Sequence, residues 1–343
     1  MYNFISTFIH LYARFITSAQ SLSSPESFDY YAGNLRYLIA NKGTNQLLAL
    51  GTVENLSILV SSIIASHGLK DLDNRLFACT EGNVKVYDVI TGTLITTISI
   101  EGSFINGISY DGVNNIFVTD FTAKNIYRID ATTYSFNLFV TNTVETPNGI
   151  LFDDYAYRLL FVPWGSAAKI KAVSLIDSVR SDLITTPFSN IDDLAADGIG
   201  SYWVSTWGSN AVYRYNSDFT VITDTISGLS NPADIYYNKY TDTLAIPNSA
   251  SASTVIFVNY DAPIISGIVD NNNIKIEYTV DYLCILSQSY VFNTTIYSYE
   301  GRVITHKKGN SFFINLHTLT PGMYIMNIHD GSQPISYKFI VYN

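Results

Sequence analysis

Apolar and polar residues alternate with period two along most of this chain, in short runs broken by Gly, Asn, Asp and Pro. Alternation of that kind marks half-buried β-strands; a helix would show an apolar stripe every 3.6 residues. The runs come in sets. From Asn106, NGISYDGVNNIFVTDFTAKNIYRID reads as a strand, a turn, a second strand, a polar stop and a third strand. The same plan returns in PNGILFDDYAYRLLFVPWGSAAKIKAV from Pro147, IDDLAADGIGSYWVSTWGSNAVYRY from Ile191 and NPADIYYNKYTDTLAIPNSASASTVIFV from Asn231. Two weaker copies precede them, PESFDYYAGNLRYLIANKGTNQLLAL from Pro25 and SHGLKDLDNRLFACTEGNVKVYDV from Ser66. Equivalent positions are Glu26, His67, Asn106, Asn148, Asp192 and Ala233, spaced by 41, 39, 42, 44 and 41 residues.

Three or four short strands in each forty-odd residues predict one propeller blade per copy. The fold expected is all-β: a six-bladed β-propeller over residues 22–262, followed by a small C-terminal β-sandwich over 264–343. The sixth copy shows three strands, and an outer fourth is left to Ile264–Ile268 or to the mature N-terminus. In a propeller the innermost strands surround one channel, so the six equivalent positions converge on its axis. Asp120, Trp164 and Trp207 follow second strands and fall near one rim, where aromatic rings either pack between blades or stack a ligand. His67 reads as a channel-lining side chain.

The chain has 343 residues, 14% of them charged and 14% aromatic, including 26 Tyr and 19 Phe. A disordered chain would be poor in aromatics and rich in charge, so a large folded core is expected. The net charge of −10, with Lys307-Lys308 as the densest basic pair, disfavours nucleic acid and anionic membrane surfaces. Cys79 and Cys284 are too few for a disulfide framework, and no Cys/His cluster has zinc spacing. There is no phosphate loop, no nucleophile-elbow motif and no zinc-protease motif. Residues 1–19 are apolar, lack acidic residues and end in Thr17-Ser18-Ala19 before Gln20. They read as a signal peptide, or else as a buried first helix or strand, since no Lys or Arg opens them. No later segment reaches the roughly 18 uninterrupted apolar residues of a membrane span.

Residues 22–260 resemble the six-bladed propellers of the senescence marker protein/gluconolactonase/luciferin-regenerating enzyme family and of the NHL-repeat proteins. The lactonase-like enzymes use a first-blade Glu, an Asn within a fourth-blade Pro-Asn-Gly, and a fifth-blade Asp before an apolar strand. The resemblance therefore implies that Glu26, Asn148 and Asp192 hold a metal, with Ca²⁺ suited to such hard oxygen donors. It gives the catalytic roles to Asp192 and to Asn106, which would orient substrate. Three departures stand out. The family's Arg near the third-blade Asn is replaced by Glu101-Gly102-Ser103-Phe104-Ile105. The first-blade motif is Pro25-Glu26-Ser27. The Gly after the fifth-blade Asp is Asp193, which leaves the ligand open between Asp192 and Asp193.

At the other end, TIYSYEGRVI, INLHTLTPGMYIMNI and KFIVYN resemble the type A C-terminal sorting domain of the type IX secretion system. Gly301 sits in a strand–turn–strand, and Pro321-Gly322 turns the chain into Met323-Tyr324-Ile325. This resemblance implies a Gram-negative host, a secreted or cell-surface protein, the secretion machinery as partner, and loss of the tail on export. Two functions fit the whole: a binding module for a glycan, peptide or protein ligand, or a calcium-dependent lactonase-like hydrolase acting on a small molecule at the axis.

Overall fold

The computed structural model describes residues 21–341 except 52–55, 155, 198–199, 240–241, 251–252, 261–268, 272–273, 279–281, 288–291, 299–300, 310, 321 and 330–334. The expected signal peptide and the expected closing strand Ile264–Ile268 lie outside the described residues.

Six antiparallel sheets, each a simple meander, follow one another. The first is Pro25–Tyr31, Arg36–Asn41, Gln46–Leu50 and Leu56–Val60; the second is Leu69–Leu72, Arg75–Cys79, Val84–Asp88 and Leu94–Ile98. The third is Ile105–Tyr110, Asn115–Asp120, Asn125–Asp130 and Phe136–Val140; the fourth is Thr146–Asp153, Arg158–Trp164, Lys169–Ser174 and Arg180–Thr185. The fifth is Ile191–Ala196, Tyr202–Thr206, Ala211–Tyr215 and Ile222–Ile226. The sixth has three strands among the described residues, Tyr236–Asn238, Thr243–Asn248 and Thr254–Asn259.

Period-two alternation explains how the sheets become blades. On one strand, Ile116 and Val118 pack toward blade two with Phe77 and Val84, while Phe117 between them packs toward blade four with Leu159 and Phe161. Each blade thus buries both faces against its neighbours, and the core is a set of inter-blade layers. The outermost strands, such as Leu94–Ile98 and Phe136–Val140, are largely exposed.

The first strand of each sheet lies beside those of its neighbours, and the ring closes where Ser27 bridges Asp234 and the Asp234 N–H donates to Glu26 O at 2.9 Å. Close approach around the axis depends on small residues. A Cβ added to Gly107 would fall 2.5 Å from Asn148 O, and one added to Gly149 would fall 2.6 Å from the Asp193 Cα. Any side chain there would push neighbouring inner strands apart.

The strands from Val269 onward form a separate compact unit. One sheet holds Val269–Asn271, Ile274–Tyr278, Tyr282–Ser287 and Ser311–Asn315; the other holds Val303–Gly309, Phe292–Ser298, Gly322–His329 and Ile335–Val341. Leu283, Ile285 and Phe312 of the first sheet meet Phe292, Ile296, Met326 and Phe339 of the second in one core, which makes the unit a β-sandwich. Gly301 takes a positive φ of 83° in the Ser298–Arg302 turn.

Candidate functional site

The six equivalent positions lie where the inner strands begin, at one end of the channel. Glu26, His67, Asn148 and Asp192 are buried there, and Asn106 is half-buried. Three of them form a chain: Asn106 Nδ2–H donates to Asn148 Oδ1, and Asn148 Nδ2–H donates to Asp192 Oδ1 at 3.1 Å. Glu26 closes the circle from the other side. Its Oε2 accepts the Ser249 hydroxyl at 2.9 Å, while Lys42 Nζ and His67 Nδ1 each stand 3.5 Å from its Oε1.

The electrostatics of this end set its two carboxyls apart. Burial pushes the Glu26 carboxyl up, but His67, Lys42 and Ser249 together outweigh it and hold the group below its ordinary range. For Asp192 burial dominates, and the charges of Glu26 and Asp234 add to it, so its proton is held far above the usual carboxylate range.

One step further along each strand lie Ser27, Gly68, Gly107, Gly149, Asp193 and Asp234. Asp193 is buried, Asp234 is half-buried, and the two are hydrogen-bonded to each other, which requires that one of them keep a proton. Burial, then the neighbouring carboxylate, raises Asp193, and burial raises Asp234 against hydrogen bonds from Asp193 and Ser27. Asp192 is therefore the acid beside Asn148, whereas Asp193 faces Asp234. Sequence reasoning placed Ala233 on the axis and passed over Asp234; the same repeat phase, carried one residue on, pairs it with Asp193. Lys42 and Ser249 were also missed. They come from turns after second strands, where repeat phase carries no information.

The expected rim residues separate. Asp120 is buried, and its carboxylate accepts the N–H groups of Ser103, Phe104 and Ala123 at 2.8, 3.1 and 2.9 Å, so it holds a turn. Trp164 and Trp207 are half-buried, with ring centroids 5.3 Å apart. A cleft of about 660 Å³ lined by Val144, Lys171, Arg180 and Asp182 lies on the third and fourth strands of blade four.

Among the described residues no three His, Cys, Asp or Glu side chains are grouped to hold a metal by themselves. The axial donors are two carboxylates and an amide oxygen, a hard set. Two acids in low dielectric repel each other unless a cation or proton intervenes, and the Glu26 and Asp234 charges add to burial in raising Asp192. The residues present therefore fit a hard divalent cation.

Comparison with known proteins settles the C-terminal unit first. Residues 270–342 match the secretion system C-terminal sorting domain. This unit is a sorting domain. It directs the chain through type IX secretion to the exterior or the cell surface. The propeller is similar to a gluconolactonase from Xanthomonas campestris, with a TM-score of 0.62 and 14% identity over 70% of this chain and 86% of that one. It is also similar to regucalcin, a calcium-binding protein from Agrobacterium tumefaciens, with a TM-score of 0.57 and 13% identity over 70% and 90% of the two chains. A streptogramin B lyase aligns with a TM-score of 0.54 and 14% identity over 72% of this chain and 96% of that one. At these identities the likeness is one of fold. No curated protein matches the sequence.

Proposed function

We propose that this exported protein is a small-molecule hydrolase whose substrate, a lactone or ester, lies over the polar end of the propeller channel. The supporting observation is the meeting of Glu26, Asn106, Asn148 and Asp192, from blades one, three, four and five, around one axis. Glu26, Asn148 and Asp192 would hold Ca²⁺, and the bound ion would supply a Lewis acid for a carbonyl oxygen. The rest falls to the chain. Asp192, held at the axis by the Asn148 amide, would be the base that takes a proton from an attacking water. Asn106, tied to Asn148, orients the substrate, and the Glu26 contacts to Lys42, His67 and Ser249 keep that carboxylate ionised and in place. The likeness of fold to a gluconolactonase and to a calcium-binding regucalcin agrees with this reading.

A second reading keeps the same site but removes the chemistry: a cell-surface module that binds a glycan, peptide or protein. Phe104, in the stretch where the lactonase-like enzymes carry an Arg, favours it. Metal analysis of the purified protein and a lactone and ester hydrolysis panel, with Asp192→Asn beside wild type, separate the two. Calcium-dependent turnover lost in Asp192→Asn supports the hydrolase; calcium binding without turnover across the panel leaves the binding module.

A further inference from the structure

We propose that the channel mouth carries a subsite for a flat, uncharged aromatic ring, built by His67, Phe104, Phe121, Trp164 and Trp207. The inference rests on the reading that substrate lies over the axial site, and it assigns the part of the substrate that does not react.

The five rings form an unbroken arc. His67 meets Phe104 at 4.6 Å, Phe104 meets Phe121 at 5.3 Å, Phe121 meets Trp164 at 6.3 Å, and Trp164 meets Trp207 at 5.3 Å. All four contacts are edge-to-face, with interplanar angles of 80°, 69°, 60° and 75°. Adjacent rings at such angles make corners that offer a face from one and an edge from the next, the two geometries another aromatic ring prefers.

The arc stands at the polar end of the channel. His67 is itself an axial residue, and Phe104 lies two residues before Asn106. Trp164 pairs with Thr146, two residues before Asn148, and Trp207 follows Thr206, which pairs with Ile191 beside Asp192. The arc therefore follows the Asn106–Asn148–Asp192 chain through blades three, four and five.

His67 is buried and backs Phe104, but the other four rings are unlike those that serve packing. Phe117, Phe161 and Trp203 are at most 1% exposed, whereas Phe104, Phe121, Trp164 and Trp207 are each half-buried. The segment that carries two of them is fixed in advance: the Asp120 carboxylate binds the Ser103 and Phe104 N–H groups, and the Phe121 N–H donates to Phe104 O at 2.8 Å. A preformed wall loses little on binding.

Charge narrows the occupant. No Lys or Arg belongs to the arc, the axial acids outnumber Lys42, and the chain carries −10. An anion is repelled by that field. A sugar ring needs several hydrogen-bond partners beside its stacking face; the Asp120 oxygens are occupied, and the arc adds only the buried Trp207 indole N–H as an unpartnered donor. An uncharged aryl group remains.

The test uses the full chain. Its tryptophans are Trp164, Trp203 and Trp207, and Trp203 is fully buried, so fluorescence changes on ring binding report the arc. Titration without calcium, with phenylacetamide, phenylacetate and glucono-1,5-lactone, is expected to give a saturable change with phenylacetamide alone. Trp164→Leu and Phe121→Leu, checked for wild-type melting, should each weaken that binding about fivefold to tenfold, as one aromatic pair implies. If the protein hydrolyses lactones, the ratio of kcat/KM for dihydrocoumarin over glucono-1,5-lactone should fall by a similar factor in both variants. Equal binding of the sugar lactone, tighter binding of phenylacetate, or unchanged phenylacetamide affinity in both variants overturns the subsite. Aryl binding without any hydrolysis upholds the subsite and sinks the hydrolase reading instead.

Discussion

The propeller and the sorting domain are made of the same alternating antiparallel strands, yet they bury different side chains. Among the described residues, the sorting domain buries one polar side chain, Thr294. The propeller buries Glu26, Asp29, His67, Asp120, Asn148, Asp153, Asp192, Asp193, Asp197 and Asp234 or holds them in buried hydrogen bonds. Burying a charge costs several kcal/mol unless it is matched. Away from the axis the matching is local: Asp153 pairs with Arg158 at 2.8 Å, Asp197 with Arg214, and Asp120 with three backbone N–H groups. At the axis Glu26 is matched by Lys42 and Ser249. Among the described residues Asp192, Asp193 and Asp234 have no cation beside them and lie among carboxylates, an imbalance suited to a cationic or polar ligand. The sorting domain, which is read from outside, needs no such interior.

The comparison breaks most readily if the two units do not melt independently. Phe161→Ala, in the blade three–four layer, should cost the propeller about 3–5 kcal/mol, and Met326→Ala should cost the sorting domain about 2–5 kcal/mol. In calorimetry each substitution should lower one transition only, and residues 22–262 alone should melt as the propeller does in the full chain. A single transition lowered by both substitutions defeats the contrast.

A smaller effect tests the axial imbalance. With a site of roughly 10⁻⁴–10⁻³ M affinity, calcium at 10–100 times that level should stabilise the propeller by about 1.4–2.7 kcal/mol. The shift in Tm should vanish in Asp192→Asn and persist in Asp182→Ala, whose side chain lies on an outer strand. Asp234 is a poor control, because its charge reaches both Glu26 and Asp192.

Asp71 probes a half-buried acid at the blade one–two contact. Burial, then the nearby Asp29 charge, pushes its carboxyl up to about 7 against the pull of Lys70. The unfolded group loses its proton near about 4. The folded state is therefore increasingly disfavoured as pH rises from about 4 to 7, and the penalty is complete above that. Asp71→Asn should match wild-type Tm at pH 4 and exceed it by a margin that grows to a plateau above pH 7. A margin independent of pH would remove Asp71 from the account. The smallest effect belongs to the surface: Asp182→Ala, which breaks contacts to Lys169 and Lys171, should leave Tm indistinguishable from wild type at 0.15 M salt.

Much of this was legible in the sequence because a blade is a register device. Once alternation set the strands, a spacing of about forty residues carried Glu26, His67, Asn106, Asn148 and Asp192 to one end of the channel. What escaped obeys other rules. Lys42 and Ser249 reach Glu26 from turns, whose path no periodicity describes. Asp120 has the look of a rim acid, but its oxygens serve backbone N–H groups, a bond between side chain and main chain that a polar pattern does not reveal. Phe104 and Phe121 become neighbours of Trp164 only when the blades are side by side.

The clasp that closes the ring also sets an order of events. Ser249 binds the Glu26 carboxylate from 223 residues away, and Asp234 grips the Glu26 carbonyl. Synthesis supplies Glu26 early, with Lys42 and His67 soon after, and Asp234 and Ser249 last. Early blades pack through contacts between neighbours, but Glu26 waits for the sixth, across a loop whose closure cost grows only slowly with length. A chain stopped before Asn231 therefore ends with its first acid in place and half of that acid's surroundings missing. Completion of the axial site marks completion of the propeller.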